Sequence, residues 1–209
     1  MSEISNEAIV RALRPYHFLA SAEVCEKIRI YISLLLKWNR AISLTTVTEA
    51  LEILKIQFGE SVFAISEVPI ANGRLADVGS GAGFPGMALA VANSSLSVTL
   101  IESNAKKCAF LSEVARALEL SNVTVTRSRM EDVPEEDGQF DFIAARALGQ
   151  YEDLLNWALK RLSSDGKVVL WLGEPDAEQL SRNPQWKWDA VHRIPKSNRK
   201  CLLVGSLKG

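Results

Sequence analysis

The first third of the chain carries apolar residues at helical spacing. Between Val24 and Leu36 they recur every three or four residues, which predicts an amphipathic helix with one face toward a core. Ser21 stands where the cap of this helix is expected. A second helical run covers about 47–66, and the threonines at its start are candidate caps. The pattern therefore predicts a helical N-terminal extension over residues 1–72.

From Gly73 onward, short apolar runs alternate with helical ones. The runs GRLADVG, LSVTLIES, NVTVTRS, FDFIAAR and KVVLWL are typical of buried strands, and SSDG is a turn before the last of them. The stretches PGMALAVANS, NAKKCAFLSEVARALEL and YEDLLNWALKRL are typical of helices, with Pro85 at a first helical position. Strands that alternate with helices predict a parallel sheet covered by helices on both faces.

The C-terminal part has two further strand-like runs, QWKWDAVHRI and RKCLLVGSL, without a helix between them. Consecutive strands of this kind pair as an antiparallel hairpin, which we expect at the edge of the sheet. The sequence therefore predicts an α/β fold in which residues 73–209 form a seven-stranded, mostly parallel sheet.

Composition narrows the class of protein. A chain of 209 residues that is 47% hydrophobic is long and apolar enough for one domain with a real core. The net charge of −1 means that a polyanionic partner would have to meet a local basic patch. Three cysteines without C-x-x-C spacing argue against disulfides and a zinc site. No signal peptide or membrane span is recognisable, so we expect a cytoplasmic protein.

The stretch LADVGSGAGFPG, from Leu75 to Gly86, has the features of a nucleotide-binding turn between a strand and a helix. Gly81, Gly83 and Gly86 match the dinucleotide pattern G-x-G-x-x-G, whereas Gly79, Gly81 and Gly83 match a G-x-G-x-G loop behind Asp77. A glycine turn that only connects two elements is the simpler alternative. The strand before it and the helix after it favour a cofactor site.

Acidic positions near this turn bear on the identity of the cofactor. Glu102 ends the following strand, where an acid accepts hydrogen bonds from ribose hydroxyls or stabilises the start of the next helix. Asp77 favours S-adenosylmethionine over NAD, since a carboxylate there would repel a pyrophosphate and attract a cationic amino-acid group. Met130 and Glu131, in RSRMEDV, are placed to flank an adenine. No G-K-[ST] follows the glycines, which argues against ATP or GTP hydrolysis.

Four stretches resemble, in order, the motifs of one known family. DVGSGAGFPG, LIESNAKKCAFL, SRMEDV and FDFIAARAL look like successive motifs of the RsmG (GidB) methyltransferases, and LLLKWNRAISLTTVTE is similar to the helical leader of that family. The resemblance runs from about Leu34 to Arg161. It implies a class I S-adenosylmethionine-dependent methyltransferase of Rossmann-like fold, which methylates N7 of a guanosine in 16S (small-subunit) rRNA.

The resemblance also implies roles for individual residues. Arg146, at the end of the fourth strand, would face the methionine end of the cofactor and the entering base, and it is the candidate catalytic residue. Helix capping or a surface ion pair is the alternative role for this arginine. The full set of predicted cofactor-binding residues is Asp77, Gly79, Ser80, Gly81, Gly83, Phe84, Glu102, Met130, Glu131 and Arg146. The implied partner is small-subunit rRNA or a ribosomal precursor particle, bound by a monomer.

The chain departs from the family pattern at several positions on the RNA-facing side. Gln57 and Gly59 replace residues of an HFLDS-like run, Leu172 replaces a lysine, and Lys200 replaces a histidine. Two alternative functions therefore stay open at this point. One is a methyltransferase of the same fold that acts on another RNA or a small molecule, and the other is a catalytically weak cofactor- or RNA-binding module.

A candidate RNA surface is basic only locally. Between Arg182 and Lys200 basic residues outnumber acids, and Trp186 and Trp188 interleave with them. Basic and aromatic side chains together contact phosphates and stack on unpaired bases, although alternating tryptophans on a strand also serve packing. Further candidates for contact with RNA are Arg127 and Arg129 near the cofactor site and, in the leader, Arg11, Arg14, Lys27, Arg29, Lys37 and Arg40.

Overall fold

The computed structural model describes residues 4–134 and 139–208. A central sheet has the order β3-β2-β1-β4-β5-β8-β6, with a short β7 beside β8. The strands are β1 (Gly73–Val78), β2 (Leu96–Glu102), β3 (Val123–Arg127), β4 (Phe140–Arg146), β5 (Leu162–Gly173), β6 (Trp186–Trp188), β7 (His192–Arg193) and β8 (Lys200–Leu207). Strands β1 to β5 pair in parallel, and β8 is antiparallel to β5, β6 and β7. The predicted α/β fold with a mostly parallel sheet is confirmed.

Two details of the sheet differ from the prediction. The predicted antiparallel pair does lie at the edge, as β6 and β8, but the described residues form eight strands rather than seven, because the short β7 also pairs with β8. Strand β5 begins at Leu162, directly after the preceding helix, and an irregularity lies between its pairing of Phe140 with Leu162 and of Phe142 with Lys167. The SSDG stretch is therefore absorbed into an irregular strand, since the residues on both sides of it pair with β4.

Eight helices surround the sheet among the described residues. They are α1 (Asn6–Leu13), α2 (Ala22–Asn39), α3 (Ala50–Glu52), α4 (Glu60–Glu67), α5 (Gly86–Ala92), α6 (Ala105–Ala117), α7 (Tyr151–Arg161) and α8 (Glu174–Leu180). A π-helical segment, Ile53–Gly59, joins α3 to α4, and single 3₁₀ turns cover Arg14–Tyr16 and Met130–Asp132. Within the described parts of the chain, none of the helices combines the length and the apolar character that crossing a bilayer requires.

Some of the predicted N-terminal caps of the helices are present in the structure, and others are not. The Ser21 hydroxyl accepts a hydrogen bond from Val24 N at 3.2 Å, so the predicted cap of α2 is confirmed. The predicted threonine caps of the second run are wrong, because α3 begins after Glu49 without a side-chain cap. Thr45 instead accepts hydrogen bonds from Val47 N and Gln57 Nε2 through its hydroxyl. Pro85 also stands one residue before α5 rather than within it.

The core has one layer on each face of the sheet. Helices α1, α2, α4, α5 and α6 pack on one face, while α7 and α8 pack on the other. The N-terminal extension thus shares its core with the sheet that starts at Gly73. At the centre of this shared core, the fully buried Tyr31 stacks on Phe84 at 5.2 Å between ring centroids. The Tyr31 hydroxyl donates to Ala82 O at 2.6 Å, which ties α2 to the glycine turn.

Candidate active site

The glycine turn follows β1 and is held by the neighbouring strand. The backbone N–H groups of Gly79 and Ser80 both donate to the carbonyl of Ile101, at 2.9 and 3.1 Å. Gly79 and Gly81 have φ of 71° and 56°, in the left-handed region that other residues adopt at a cost. This conformation turns the chain out of the sheet at the carboxyl edge, where parallel sheets bind their ligands.

Two glycines of this stretch are required by packing. A Cβ on Gly83 would lie 2.3 Å from the Tyr31 hydroxyl oxygen, and one on Gly86 would lie 2.6 Å from Asp77 Cβ. The dinucleotide pattern that ends at Gly86 therefore has a packing explanation. A Cβ on Gly81 would meet only Gly79 O, at 3.7 Å, so the space beside Gly81 is open.

Glu102 joins the turn to the next helix. Its Oε2 accepts a hydrogen bond from Gly81 N at 2.9 Å, and its Oε1 accepts one from Asn104 N at 2.8 Å. The side chain is 7% exposed and borders a cavity. Each carboxylate oxygen has two lone pairs, so Glu102 retains acceptor capacity toward a ribose while it orders both loops.

A cavity of about 290 Å³ opens beside Glu102 at the carboxyl ends of β1, β2 and β3. Four predicted residues line it: Gly79, Glu102, Met130 and Glu131. The other lining residues are Val78, Ile101, Ser103, Ser128, Arg129, Leu148 and Gln150. Ser128 and Arg129 stand in the same RSRMEDV run as Met130, and Leu148 ends the FDFIAARAL run, whereas Gln150 lies outside every motif of the sequence analysis.

The residues of this cavity fit S-adenosylmethionine. Apolar side chains of Ile101, Met130 and Leu148 offer walls for a flat adenine. The Glu102 carboxylate lies at the end of β2, the position at which an acid can accept hydrogen bonds from ribose hydroxyls. A Cβ at Gly79 would lie 2.8 Å from the Leu148 side chain, so only glycine leaves this wall unobstructed.

Other predicted residues lie away from the cavity wall. The Phe84 ring is buried against Tyr31 and, at 5.1 Å between centroids, Phe58. The Ser80 hydroxyl donates a hydrogen bond to Asp77 O at 2.8 Å, and Ser80 is only 2% exposed. These two side chains support the turn from behind. A direct contact of either with the cofactor stays a prediction.

Asp77 is fully buried behind the turn. Its Oδ2 accepts a hydrogen bond from Gly86 N at 2.9 Å, whereas its Oδ1 has no hydrogen-bond partner among the described residues. Burial raises the pKa of the Asp77 carboxyl to about 7, against the opposing effects of Gly86, Ser80 and Arg146. The carboxylate thus fixes the turn at the start of α5 and titrates near neutral pH.

Arg146 ends β4 with its guanidinium directed to the N-terminal extension. Its Nη1 donates to the carbonyls of Ile56 and Gln57 at 3.3 and 3.5 Å, and its Nη2 lies 3.4 Å from Glu60 Oε2. Lys200 Nζ contacts the same carboxylate at 2.9 Å. The ion pair of Arg146 is therefore a buried one, and Glu60 is a site residue that the sequence patterns did not single out.

The departures from the family pattern gather around this arginine. Gln57 supplies a carbonyl to Arg146, and Lys200 shares Glu60 with it. A Cβ on Gly59 would lie 2.3 Å from the Tyr16 ring, so the glycine permits close contact there. Leu172 is buried on β5 and pairs with Cys201 on the neighbouring strand β8. Three of the four positions thus belong to one cluster.

The tryptophans of the candidate RNA surface are packing residues. Trp186 is 2% exposed, and its ring lies 5.8 Å from that of Trp188. Trp188 also covers Gly205, where a Cβ would lie 2.6 Å from its ring. Trp186 would have to leave the core to stack on an RNA base. We therefore assign Trp186 the packing role.

The protein has the fold of a class I methyltransferase, the class that uses S-adenosylmethionine. The order of the strands, the glycine turn after β1 and the acid at the end of β2 are the features of this class. Solved structures agree in fold. An S-adenosylmethionine-dependent methyltransferase from Aquifex aeolicus matches with a TM-score of 0.62 at 17% identity, over 75% of this chain and 93% of that one. A ribosomal protein L11 methylase from Lactobacillus delbrueckii subsp. bulgaricus matches with a TM-score of 0.61 at 22% identity, over 74% and 80%.

The particular family follows from the sequence comparisons. The GidB family model, described as rRNA small subunit methyltransferase G, matches residues 24–201. Ribosomal RNA small subunit methyltransferase G of Halorhodospira halophila is 37% identical over 188 residues, 88% of each chain. The protein of the same name in Xylella fastidiosa strain M23 is 38% identical over 177 residues, 83% of this chain and 82% of that protein. The chain belongs to the GidB family, and the predicted resemblance is confirmed.

Proposed function

We propose that this protein transfers a methyl group from S-adenosylmethionine to N7 of a guanosine in small-subunit rRNA. The observation that carries the proposal is the family match over residues 24–201, which includes the whole cofactor cavity. The proposal is supported by one cavity that Gly79 of the glycine turn, Glu102, and Met130 with Glu131 line together.

The proposed methyl transfer requires no general base. Bound S-adenosylmethionine supplies an electrophilic methyl group on a sulfonium. Guanine N7 carries a free lone pair, so the residues of the site have to orient the base and exclude water rather than remove a proton. In keeping with this, Cys108 is a buried, free cysteine in α6 and is not placed as a nucleophile.

The roles of the site residues follow from their positions. Glu102 holds the ribose, and Met130 with Glu131 flanks the adenine. The backbone from Gly79 to Gly83 approaches the cofactor, supported by Asp77, Ser80 and Phe84 from behind. Arg146 is the candidate catalytic residue, since its place at the end of β4 adjoins the turn from Ala147 to Gln150 that reaches the cavity.

The proposed substrate implies the partner and the location. The protein acts on small-subunit rRNA or a ribosomal precursor particle, in the cytoplasm, where these are found. We propose that it acts as a monomer, which light scattering at working concentration tests.

The decisive test is nucleoside mass spectrometry of 16S rRNA from a strain without the gene. We expect a loss of 7-methylguanosine that the wild-type gene restores and an Arg146→Ala gene does not. Calorimetry with S-adenosylhomocysteine on the purified chain checks the cofactor independently. Unchanged 7-methylguanosine together with tight S-adenosylhomocysteine binding would indicate a different methyl acceptor. Absence of binding would contradict the cofactor site itself.

A further inference from the structure

A second cavity, of about 510 Å³, lies between the N-terminal extension and the loop that joins β7 to β8. It shares no lining residue with the cofactor cavity. Its walls are mainly apolar and come from α1, the π-helical segment and the adjoining turns, with Ala12, Pro15, Leu51 and Ile56 among them. Leu51 is 45% exposed and adds apolar surface to the opening of the cavity.

The floor of this cavity is polar and buried. Tyr16 and Glu60 both line it, and each is 4% exposed. Among the described residues, the Tyr16 hydroxyl has no hydrogen-bond partner, and burial raises its pKa to about 12, so it remains a donor at neutral pH. The Glu60 carboxylate has four lone-pair sites, and contacts with Lys200 and Arg146 leave part of this capacity for a ligand.

The mouth of the cavity is cationic. Arg11 comes from α1 and Lys196 from the loop before β8, and both are exposed lining residues. Neither has an ion-pair partner in the described part of the chain, whereas Lys55 at the same mouth is paired with Glu52 at 2.8 Å. Two regions that were separate candidates for RNA contact in the sequence thus meet at one opening.

This arrangement matches the chemistry of a nucleotide. Apolar walls suit the faces of a base, a buried hydroxyl and carboxylate suit its polar edge, and paired cations at the opening suit a phosphate. Its volume lies within the range of small-molecule sites. We infer that the cavity binds one unpaired nucleotide of the RNA strand close to the target guanosine.

The inference rests on the proposed function and deepens it. Glu60 belongs to the cavity floor and also contacts Arg146, so a nucleotide bound here is adjacent to the residue at the end of β4. A free mononucleotide offers the same chemistry as a nucleotide within RNA, and the experiment separates the two sources.

The test is steady-state methylation of small ribosomal subunits from a strain without the enzyme, with kcat and KM measured separately. The double variant Arg11→Ala/Lys196→Ala removes both cations from the mouth. The control, Arg116→Ala/Lys160→Ala, removes two exposed cations from α6 and α7, outside both cavities. A third variant, Tyr16→Phe, deletes only the buried hydroxyl and keeps the ring that packs against Gly59.

We expect the mouth variant to raise KM for subunits about tenfold, with kcat and the Kd of S-adenosylhomocysteine unchanged. The dependence of log KM on log salt concentration should become shallower by about one unit, because phosphate contacts are lost. Tyr16→Phe should raise KM about threefold, as expected for one hydrogen bond. The control should stay within about twofold of wild type, as is usual for surface substitutions.

If the mouth and control variants raised KM equally, the effect would be due to the net charge of the protein, and the inference would be overturned. Wild-type KM in both Tyr16→Phe and the mouth variant would overturn it as well. Tight calorimetric binding of guanosine or adenosine 5′-monophosphate that Tyr16→Phe abolishes, with KM for subunits unaffected, would assign the cavity to a free mononucleotide instead. Should the wild-type chain methylate neither these subunits nor deproteinised small-subunit rRNA, the proposed function fails first, and this outcome is distinct from the others.

Discussion

Glu60 Oε2 lies 3.4 Å from Arg146 Nη2, and the same carboxylate accepts two contacts from Lys200 Nζ at 2.9 and 3.0 Å. One carboxylate of the N-terminal extension thus holds two cations that come from β4 and β8. The extension therefore fixes the direction of the candidate catalytic guanidinium through Glu60 and the carbonyls of Ile56 and Gln57.

Replacing Glu60 by glutamine should release Arg146 and destabilise the fold. Loss of one partner of a buried ion pair leaves the other charge uncompensated, so we expect a loss of about 3 kcal/mol in the free energy of unfolding. Mispositioning of Arg146 should also lower kcat by about one to two orders of magnitude. Urea denaturation and single-turnover methylation measure the two effects. The double variant Glu60→Gln/Arg146→Met removes the buried charge as well, so it should recover stability without recovering kcat. A wild-type kcat in Glu60→Gln would rule out the positioning role.

Asp77 should make stability depend on pH. Its folded pKa of about 7 lies above the ordinary value of 3.8, so the folded state binds more protons than the unfolded state between these limits. The contribution of Asp77 to the free energy of unfolding is therefore greatest below pH 4, and it falls as the pH rises to 7. At about 1.4 kcal/mol for each pKa unit, the change amounts to about 4 kcal/mol.

The matched variant for this prediction is Asp77→Asn, which retains an acceptor for Gly86 N but does not titrate. The difference in unfolding free energy between wild type and variant should change between pH 5 and pH 8 in favour of the variant at pH 8. Urea titrations at both pH values measure it. A difference that is the same at both would show that the carboxyl titrates normally in the folded chain.

Substitutions at Gly81 and Gly83 should separate cofactor binding from folding. Gly81→Ala meets open space and suffers only left-handed backbone strain of about 1–2 kcal/mol, but it places a methyl group where the cofactor is expected. Gly83→Ala would place Cβ 2.3 Å from the Tyr31 hydroxyl and 2.9 Å from Met87 Cβ, so overpacking adds to the strain. Thermal unfolding should therefore show the larger loss for Gly83→Ala. Calorimetry with S-adenosylhomocysteine should show a loss of affinity for Gly81→Ala under conditions where it is folded, and unchanged affinity would contradict the role of the turn.

Tyr31→Phe should weaken the link between the extension and the glycine turn. The variant keeps the stacking on Phe84 but leaves the buried carbonyl of Ala82 without its 2.6 Å hydrogen bond, which costs about 1–3 kcal/mol. Loosening of the turn should also reduce the affinity for S-adenosylhomocysteine several-fold. Ser66→Ala is the control, since it removes a hydrogen bond to Phe63 O within the extension and away from the turn. An equal loss of affinity in both variants would mean that the effect is general destabilisation.

Local patterns were sufficient to predict much of this protein. The order of strands and helices after Gly73, the glycine turn and the acid that ends β2 could be read from periodicity and residue type. Met130 and Glu131 line the cavity, because they stand in the turn that follows β3 at the carboxyl edge of the sheet, and their contact with an adenine stays a prediction. Such features depend on neighbours in the chain, and the same residues produce them in many surroundings.

Other features depend on packing between distant segments. The pairing of Arg146 with Glu60, the stacking of Tyr31 on Phe84 and the insertion of β8 between β5 and β6 join residues that no local pattern connects. The sequence by itself determined the elements, the family and the cofactor loop. Only the tertiary structure decided the direction of Arg146 and the cavity at Tyr16, because burial of a charge or a hydroxyl is set by which elements meet around it.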